Sequence, residues 1–358
     1  MAFSIFILNT ILLALSLLNF FTIRKPEAAQ EISESVVVLL PMRNEAGNAA
    51  RVITELAQQE NLSKFTLVVI DDNSEDETFS IADSLQSERV KVIQAPLPPV
   101  GWIGKVSALQ AGLESKYLQG ADFIISVDAD VSFEKNSIAR AVATLKRHNI
   151  DFISPYPRQI ALTWSERLIQ PLLQWSWMST LLLRGAEKFP MKSTVVCNGQ
   201  FLAMRAESLL SIGGFTAVAT HVLDDIELGR AFVESGFKGA VIDGSSIAST
   251  RMYSSFNELR AGYGKSLNRA FGSLPGSIVA AIFMVATGVL PLIYALDGDL
   301  LALSALIAII ATRLISAISS GSRMRDSFLH SASVVIFIYL LYFSWSNRGK
   351  TQWKGRTV

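Results

Sequence analysis

Four apolar stretches near the two ends of this 358-residue chain limit the folds that it can adopt. Residues 3–21, 277–296, 300–319 and 328–345 carry almost no charge. Each stretch is about long enough to cross the roughly 30 Å hydrocarbon core of a bilayer. Half of all residues are hydrophobic and the mean hydropathy is +0.36, yet the chain between the apolar ends has a globular composition. We therefore expect a globular domain that is tethered to a membrane at both ends.

The charges beside the first apolar stretch predict the orientation of that domain. Arg24 and Lys25 follow the stretch, no basic residue precedes it, and no convincing signal-peptide cleavage site comes after it. Residues 1–24 are therefore expected to anchor the chain, with the following domain in the cytoplasm by the positive-inside rule. The expected location is the cell (inner) membrane, as a multi-pass protein.

The C-terminal region predicts two or three further membrane helices over residues 277–346. Three helices would place the basic tail, 347–358, outside, against the positive-inside rule, whereas the loop Arg323-Met324-Arg325 would lie inside in agreement with it. One apolar segment could therefore be re-entrant or interfacial. The two candidates are the segment that contains Pro291 and the segment that contains Arg313.

Charge and cysteine content exclude some classes of function. The formal net charge is +1, so electrostatics offers no argument for a nucleic-acid partner, and none is expected. The single cysteine, Cys197, cannot form an internal disulfide. A reducing compartment is consistent with that cysteine content.

Short apolar runs alternate with helical patterns through the first half of the globular segment. Strands are expected at 35–40, 67–70, 90–93, 123–127 and 150–154, and helices at 46–58, 78–85, 106–117 and 137–148. This alternation predicts an α/β fold with a doubly wound, mostly parallel sheet. The Trp-rich segment 160–183 is expected to be a helix that packs either on the core or in the membrane interface.

An acidic triplet, Asp128-Ala129-Asp130, ends the fourth expected strand. Residues i and i+2 of a strand project to the same side, so both carboxylates can face one point past the strand's carboxyl end. Ligands bind at that edge of open α/β sheets. Two carboxylates suit Mg²⁺ or Mn²⁺, and such ions usually hold substrate phosphates as well. A solvated loop is the alternative, because this spacing is common by chance.

Three further polar elements also follow strand ends, at 41–45, 71–78 and 101–105. Each element alone is a plausible turn or helix cap. Asn44, for example, could cap the helix that follows it, and Ser74 could cap the next one. Four such elements at the same edge of one sheet are much harder to explain by turn chemistry alone.

The order of these elements resembles that of the family-2 glycosyltransferases with a GT-A (Rossmann-like) fold. The matching segments are Pro-x-Arg-Asn-Glu at 41–45, Val-Ile-Asp-Asp-x-Ser-x-Asp-x-Thr at 69–78, Gly-Lys at 104–105 and Asp-x-Asp at 128–130. The resemblance covers roughly residues 35–270 and implies that this region is a GT-A glycosyltransferase domain.

The resemblance continues downstream and extends to a subgroup. The downstream matches are Asn-Gly-Gln-Phe at 198–201, Arg205, Gly-Gly-Phe at 213–215 and Asp224-Asp225-x-x-Leu, where Asp replaces the leading Glu of the family pattern. Pro-x-Gly-Trp-x-Gly-Lys at 99–105, Trp-Lys-Gly-Arg at 353–356 and the membrane layout look most like enzymes that glycosylate hopanoid, carotenoid or other lipid acceptors.

This resemblance implies a nucleotide pocket at the first strand ends. The residues that would line or approach this pocket are Pro41, Arg43, Glu45, Asp72 and Lys105. Asp72 would read the base, and Lys105 would lie near the base or the phosphates. The implied donor is a nucleotide sugar, expected to be UDP-linked.

The resemblance also implies the roles of three aspartates. Asp130 would bind Mn²⁺ or Mg²⁺ directly, and Asp128 would contact the ribose or a metal-bound water. Asp225 would be the general base, although an N-cap or salt-bridge partner is the alternative for it. One base without a separate nucleophile implies a single displacement that inverts the anomeric centre.

One departure from the family bears on the product. Processive synthases carry Gln-x-x-Arg-Trp after the base, whereas residues 257–261 read Asn-Glu-Leu-Arg-Ala. We therefore expect transfer of one hexose to a lipid hydroxyl or carboxyl acceptor. A polyprenyl-phosphate sugar synthase is the alternative enzyme, with phosphate as the nucleophile. A catalytically inactive membrane scaffold is a further alternative, which the complete acidic set argues against.

Overall fold

A computed structural model describes residues 1–348 and the backbone of 352–353 and 356–357. Most of the basic tail expected at 347–358 therefore lies outside the described residues. The chain forms two compact units. The sheet unit consists of Arg24–Arg158 and Gly185–Thr250, and the helical unit consists of Met1–Ile23, Gln159–Arg184 and Arg251–Val358.

Ten strands lie between the first and last apolar stretches of the described chain. They are β1 (Ile32–Met42), β2 (Leu62–Asp71), β3 (Val90–Gln94), β4 (Phe123–Val127), β5 (Val131–Phe133), β6 (Phe152–Tyr156), β7 (Arg158–Gln159), β8 (Phe201–Arg205), β9 (Gly239–Asp243) and β10 (Ala248–Thr250). Seven of them form a sheet in the order β3-β2-β1-β4-β8-β6-β9. Strand β8 is antiparallel to both of its neighbours, and the other pairs are parallel.

The helices of both units follow in chain order. They are α1 (Ala2–Thr22), α2 (Ala46–Ala57), α3 (Thr78–Ser84), α4 (Gly104–Leu113), α5 (Ser137–His148), α6 (Trp164–Thr180), α7 (Leu183–Lys188), α8 (Ala206–Ser211), α9 (Asp224–Glu234), α10 (Phe256–Ala270), α11 (Leu274–Gly288), α12 (Leu290–Leu296), α13 (Leu300–Ser320) and α14 (His330–Ser346). A 3₁₀ segment, Met324–Leu329, precedes α14.

The central strand β1 explains why the sheet is doubly wound. Successive side chains of a strand point to opposite faces. Val36 and Val38 accordingly enter one apolar core, and Val37 and Leu39 enter another on the other face. Strands that are covered on both faces have nearly continuous apolar sequences, and residues 36–40 are such a sequence. The expected α/β fold with a mostly parallel sheet is therefore confirmed.

Element boundaries agree with the sequence pattern where the pattern is regular. Strand β4 and helix α5 have the predicted bounds, whereas β1 extends beyond its predicted end to Met42. Pro41 pairs with Ile70 of β2, and β4 pairs with β1 only over residues 36–39. Pro41 thus lies where β1 has one neighbouring strand, a position that tolerates a missing N–H group.

Four helical stretches of the described chain are long and apolar enough to cross a membrane. They are Ala2–Thr22, Leu274–Leu296, Leu300–Ser320 and Met324–Ser346. The second stretch consists of α11 and α12, which divide at Val289, and Pro291 lies in the first turn of α12. Proline fits a first turn because its missing N–H group has no partner there in any case. Whether this stretch is re-entrant stays a prediction.

Helix α1 is built into the helical unit by two buried asparagines. The Nδ2 group of Asn9 donates to the carbonyl oxygens of Thr287 and Ala305, at 3.0 and 3.1 Å. The Nδ2 group of Asn19 donates to the carbonyl oxygens of Met178 and Leu181. Polar side chains that bond across apolar helices hold those helices in register. The N-terminal segment is thus part of a packed bundle as well as an expected anchor.

Helix α6 belongs to the helical unit, where Ile169, Leu172 and Trp175 are buried. Its first residue, Trp164, is largely exposed. Helix α6 and residues 251–270 fall within the catalytic domain expected at 35–270, whereas their contacts group both segments with the apolar helices. The functional boundaries of that domain stay a prediction.

Candidate active site

The carboxyl ends of β1 and β2 are tied together by Arg43. Its Nη1 group donates to the carbonyl oxygens of Asp72 and Asn73, each at 2.8 Å, and its Nη2 group lies 3.0 Å from Glu75 Oε1. The N–H group of Asp72 in turn donates to the carbonyl oxygen of Met42 at 2.8 Å. Arg43 therefore positions the loop that carries Asp72, which is itself only 4% exposed.

The alternative interpretation of Asn44 and Ser74 as helix caps is wrong. Glu45 precedes α2 and Glu77 precedes α3, and the first N–H group of each helix donates to the carboxylate of Asp76 rather than to Asn44 or Ser74. The N–H group of Asn44 instead donates to Ser74 Oγ at 3.1 Å. Asn44 reaches this position with a φ of +52°, in the left-handed region that asparagine tolerates better than most residues. The two residues thus join neighbouring strand ends.

Lys105, in the first turn of α4, lies among three carboxylates of the sheet unit. Its Nζ atom is 2.6 Å from Asp128 Oδ1. Burial lowers the pKa of the Lys105 ammonium, but the charges of Asp128, Asp224 and Asp225 outweigh burial and raise that pKa above its usual value. Three of the predicted site residues, Lys105, Asp128 and Asp225, are therefore brought together from distant parts of the chain.

Asp225 is held by two backbone N–H groups. Gly199 N–H donates to its Oδ2 at 2.7 Å, and Ile226 N–H donates to its Oδ1 at 2.8 Å. Burial raises the pKa of Asp225 against the opposing effects of Lys105 and these two donors. A raised pKa makes a carboxylate a better proton acceptor. The N-cap alternative does not apply, because α9 begins one residue earlier, at Asp224.

Gly199 and Asp224 are site residues that sequence analysis did not assign. A Cβ atom on Gly199 would lie 3.1 Å from Lys105 Nζ and 3.3 Å from Asp225 Cβ, so glycine permits their close approach. Burial, together with the charges of Asp225 and Asp128, raises the pKa of Asp224 to about 6. The Asn-Gly step at 198–199 and the paired acids at 224–225 were the available sequence signals.

Asp130 carries a buried carboxylate oxygen, Oδ1, that has no hydrogen-bond partner among the described residues. Burial and the charges of Asp128 and Glu45 raise the pKa of Asp130 to about 7, although Lys105 opposes them. Bare carboxylate oxygens with excess negative charge suit a hard divalent cation. Within the described residues, no three His, Cys, Asp or Glu side chains form a ready metal site. Further ligands would have to come from substrate or water.

The remaining predicted residues lie at neighbouring positions of the same strand ends. The N–H group of Glu45 donates to Thr78 Oγ1 at 2.7 Å, which holds the start of α2 against the β2 loop. Pro41 is half-buried within β1 itself. The structure thus places Pro41 near the carboxyl end of β1 and Arg43, Glu45 and Asp72 just after the ends of β1 and β2, with Glu45 close enough to act on Asp130. Their contacts with a nucleotide stay a prediction.

The mostly parallel sheet of this chain is similar in fold to solved glycosyltransferases of the GT-A type. The mannosyltransferase PcManGT from Pyrobaculum calidifontis, solved in complex with GDP-Man and Mn²⁺, superposes with a TM-score of 0.51 at 15% identity. The match covers 97% of this chain and 98% of that chain. Residues 37–213 match the family described as "Glycosyl transferase family 2". This chain therefore carries a glycosyltransferase family 2 domain.

A curated relative is similar over most of the chain. The 4,4'-diaponeurosporenoate glycosyltransferase of Staphylococcus haemolyticus is 26% identical over 284 residues. The alignment covers 76% of this chain and 70% of that protein. The resemblance to family-2 glycosyltransferases expected from the motifs is confirmed.

Proposed function

We propose that this protein is a membrane-bound, metal-dependent hexosyltransferase that moves a sugar from a nucleotide sugar, expected to be UDP-linked, to a lipid-type acceptor. One observation carries the proposal. Lys105, Asp128 and Asp225 meet at the strand ends of a glycosyltransferase family 2 domain, and a buried oxygen of Asp130 lacks a partner among the described residues. The same cluster thus contains a carboxylate suited to a metal ion and a candidate base.

The donor half of the site consists of groups that neutralise a diphosphate. Asp130 and Asp128 would hold Mn²⁺ or Mg²⁺, which when bound offsets the negative charge that develops on the leaving nucleoside diphosphate. Lys105 adds a further positive charge in the same cluster. Pro41, Arg43, Glu45 and Asp72 would bind the nucleotide, with Asp72 at the base.

The acceptor half of the reaction depends on Asp225. The acceptor oxygen forms a bond to the anomeric carbon while the bond from that carbon to the diphosphate breaks. Asp225 takes the proton that a hydroxyl acceptor loses in this step. Its raised pKa and the two N–H groups that fix its carboxylate favour this role. A single displacement inverts the configuration at the anomeric carbon.

The expected acceptor is a lipid-type hydroxyl or carboxyl group. The name of the Staphylococcus relative denotes a carboxylate acceptor, and four helical stretches here are apolar enough to cross a membrane. A hydroxyl must lose a proton during transfer, whereas a carboxylate is already ionised at neutral pH. The transfer rate to a hydroxyl acceptor should therefore depend on Asp225 more strongly than the transfer rate to a carboxylate acceptor.

The proposed location is the cell membrane, with the catalytic domain on the cytoplasmic side. Arg24 and Lys25 directly follow the first apolar helix, which supports this orientation by the positive-inside rule. We propose residues 1–24 and 277–346 as the membrane parts and residues 35–270 as the catalytic domain. Nucleotide sugars made in the cytoplasm would reach the site directly.

Nucleoside-diphosphate release tests the proposal. Detergent-purified protein is given UDP-, GDP- and dTDP-sugars with Mn²⁺, with and without EDTA and a total lipid extract. We expect lipid-stimulated, EDTA-sensitive release from one donor, and loss of that release in Asp130→Ala. Asp83→Ala is the matched control, because Asp83 is an exposed carboxylate of α3 in the same unit.

Three outcomes would contradict parts of the proposal. Release that resists EDTA would remove the metal from the mechanism. Release stimulated by polyprenyl phosphate alone would favour the polyprenyl-phosphate sugar synthase. No release from any donor, by folded protein with lipid present, would favour a non-catalytic scaffold.

A further inference from the structure

Arg313 of α13 is buried in the helical unit, and most of its guanidinium has no hydrogen-bond partner in the described part of the chain. The residue is 3% exposed, and neither its Nε nor its Nη1 atom has a hydrogen-bond partner among the described residues. Arginine remains charged in proteins. A buried charge without a partner is strongly unfavourable, so such groups are normally paired or bind a ligand.

His330, the first residue of α14, lies in the same cluster. It is 1% exposed, and within residues 1–348 neither ring nitrogen has a hydrogen-bond partner. Its ring centroid is 4.7 Å from that of Trp175, and Trp175 Nε1 donates to Thr312 Oγ1 at 2.7 Å. Because Thr312 directly precedes Arg313, Trp175 links the histidine to the arginine-bearing turn of α13.

The nearby carboxylate does not neutralise Arg313, because another arginine already binds it. Asp326, in the 3₁₀ segment Met324–Leu329, is within electrostatic range of Arg313. Both of its oxygens are bound by Arg167 of α6, with Nε 2.9 Å from Oδ2 and Nη2 in contact with Oδ1. Arg167 therefore binds this carboxylate while Arg313 only lies within its electrostatic range, so the described residues of the cluster carry one positive charge in excess.

Escape of the Arg313 head group to water does not explain its position. Long basic side chains near helix ends usually extend until the charged group is solvated. Arg313 lies seven residues before the end of α13 at Ser320, and at 3% exposure its charge is not solvated in this way. Ionisable residues inside apolar helices that face the bundle interior commonly mark ligand or ion sites.

We infer that Arg313 and His330 bind an oxyanion, a carboxylate or a phosphate, that is carried by an amphiphilic molecule. An oxyanion accepts charge-assisted hydrogen bonds from a guanidinium, and a histidine N–H group can add another. The cluster lies between helices apolar enough to cross a membrane, so an attached apolar chain would lie against apolar side chains. This binding does not require glycosyl transfer in the sheet unit.

Binding to the detergent-solubilised protein tests the inference without any nucleotide sugar. The probes are dodecanoate, dodecyl phosphate, dodecyltrimethylammonium, inorganic phosphate and acetate, each added in dodecyl maltoside. Thermal unfolding and native mass spectrometry report binding. A ligand that binds the folded state but not the unfolded state raises the melting temperature by mass action. We expect both anionic amphiphiles to raise it, and the cationic amphiphile and the two chain-free anions to have little effect.

Variants connect that binding to the cluster. Arg313→Gln should weaken binding of dodecyl phosphate by at least about tenfold, the usual effect of losing a hydrogen bond to a charged group. The matched control is Arg323→Gln, because Arg323 is an exposed arginine beside the same 3₁₀ segment. The Arg323→Gln protein should bind dodecyl phosphate as the wild-type protein does. His330→Gln should weaken binding of dodecyl phosphate several-fold. This second variant replaces Arg313→Gln in the experiment if Arg313→Gln does not fold.

Several results would overturn the inference. Equal stabilisation by the cationic amphiphile would show that the apolar chain alone binds. Equal stabilisation by inorganic phosphate or acetate would show that the site takes a free anion. Unchanged binding in the folded variants, or no binding of either anionic amphiphile to the wild-type protein, would show that Arg313 and His330 form no such site.

Discussion

The two units of this protein each contain a cluster of charges that does not balance, and the imbalances have opposite signs. In the sheet unit, Lys105 lies among Asp128, Asp224 and Asp225, so negative charge is in excess. In the helical unit, Arg167 binds the Asp326 carboxylate and Arg313 only lies within its electrostatic range, so positive charge is in excess among the described residues of that cluster. An excess of negative charge suits a cation, and an excess of positive charge suits an anion.

Solvent access separates the two clusters. The side chains of Lys105 and Asp128 are each 31% exposed, whereas Arg313 is 3% exposed. Water can screen part of the excess charge at the strand ends, but it cannot do so inside the helical unit. The sheet-unit cluster can therefore persist without its ligand, while the helical-unit cluster is strained until a ligand neutralises it.

The largest expected effect tests whether a carboxylate of the negatively charged cluster in the sheet unit accepts a proton during the reaction. Asp225→Asn should lower kcat for a hydroxyl acceptor by about 10²–10⁴-fold, because the proposed general base is lost while the side chain keeps its shape. Glu227→Gln is the control, since Glu227 pairs with Arg230 on the same helix. Initial rates of product formation measure the change. A much smaller loss with a carboxylate acceptor would show that the acceptor arrives without a proton.

The second effect tests whether the helical-unit cluster is strained. Arg313→Met should stabilise the ligand-free protein by about 1–4 kcal/mol, because a buried unpaired charge is replaced by an apolar side chain of similar length. Thermal unfolding in neutral detergent measures the change, and Arg323→Met, at an exposed position, should stay within about 0.5 kcal/mol of the wild type. Destabilisation by Arg313→Met would mean that the guanidinium is already satisfied.

The matching substitution in the sheet unit should act in the opposite direction. Lys105→Met removes the positive charge from among three carboxylates and should destabilise the protein by about 1–3 kcal/mol, a range reduced for the partial exposure of the pair. Lys91→Met, at a half-buried position of β3, is the control. An unchanged melting temperature would mean that solvent screening already isolates these charges from one another.

The smallest effect is a pH dependence of the metal-free protein. The pKa of Asp130 rises from 3.8 to about 7 on folding, so the folded state keeps a proton that the unfolded chain loses between about pH 4 and pH 7. Stability should therefore fall as the pH rises through that window, by about 1 kcal/mol after screening. Melting temperatures from pH 4 to 8 measure this change.

Two comparisons identify the group responsible. Mn²⁺ should restore stability at pH 7.5, because a bound cation stabilises the ionised carboxylate. Asp130→Asn should reduce both the pH dependence and the Mn²⁺ effect. A pH dependence that survives this substitution would point to Asp224, whose pKa rises to about 6 through burial and its acidic neighbours.

Regular local patterns allowed much of the fold to be predicted. Strand β4 and helix α5 have the predicted bounds, because an unbroken apolar run and a regular amphipathic pattern are each complete within their own segment. The helix-cap interpretation of Asn44 and Ser74 was wrong, because the partner of each is about thirty residues away, on another strand end. Local preference gives no information about such a partner.

The sequence by itself determined the fold class, the apolar helices and the acidic residues available at the strand ends, because periodicity and residue chemistry are local properties. Only the tertiary structure decided which charges meet. It brings Gly199 against Asp225, places Lys105 among three aspartates, and leaves Nε and Nη1 of Arg313 without a hydrogen-bond partner among the described residues. Charge balance depends on distances of a few ångströms between residues far apart in the chain, and folding alone sets those distances.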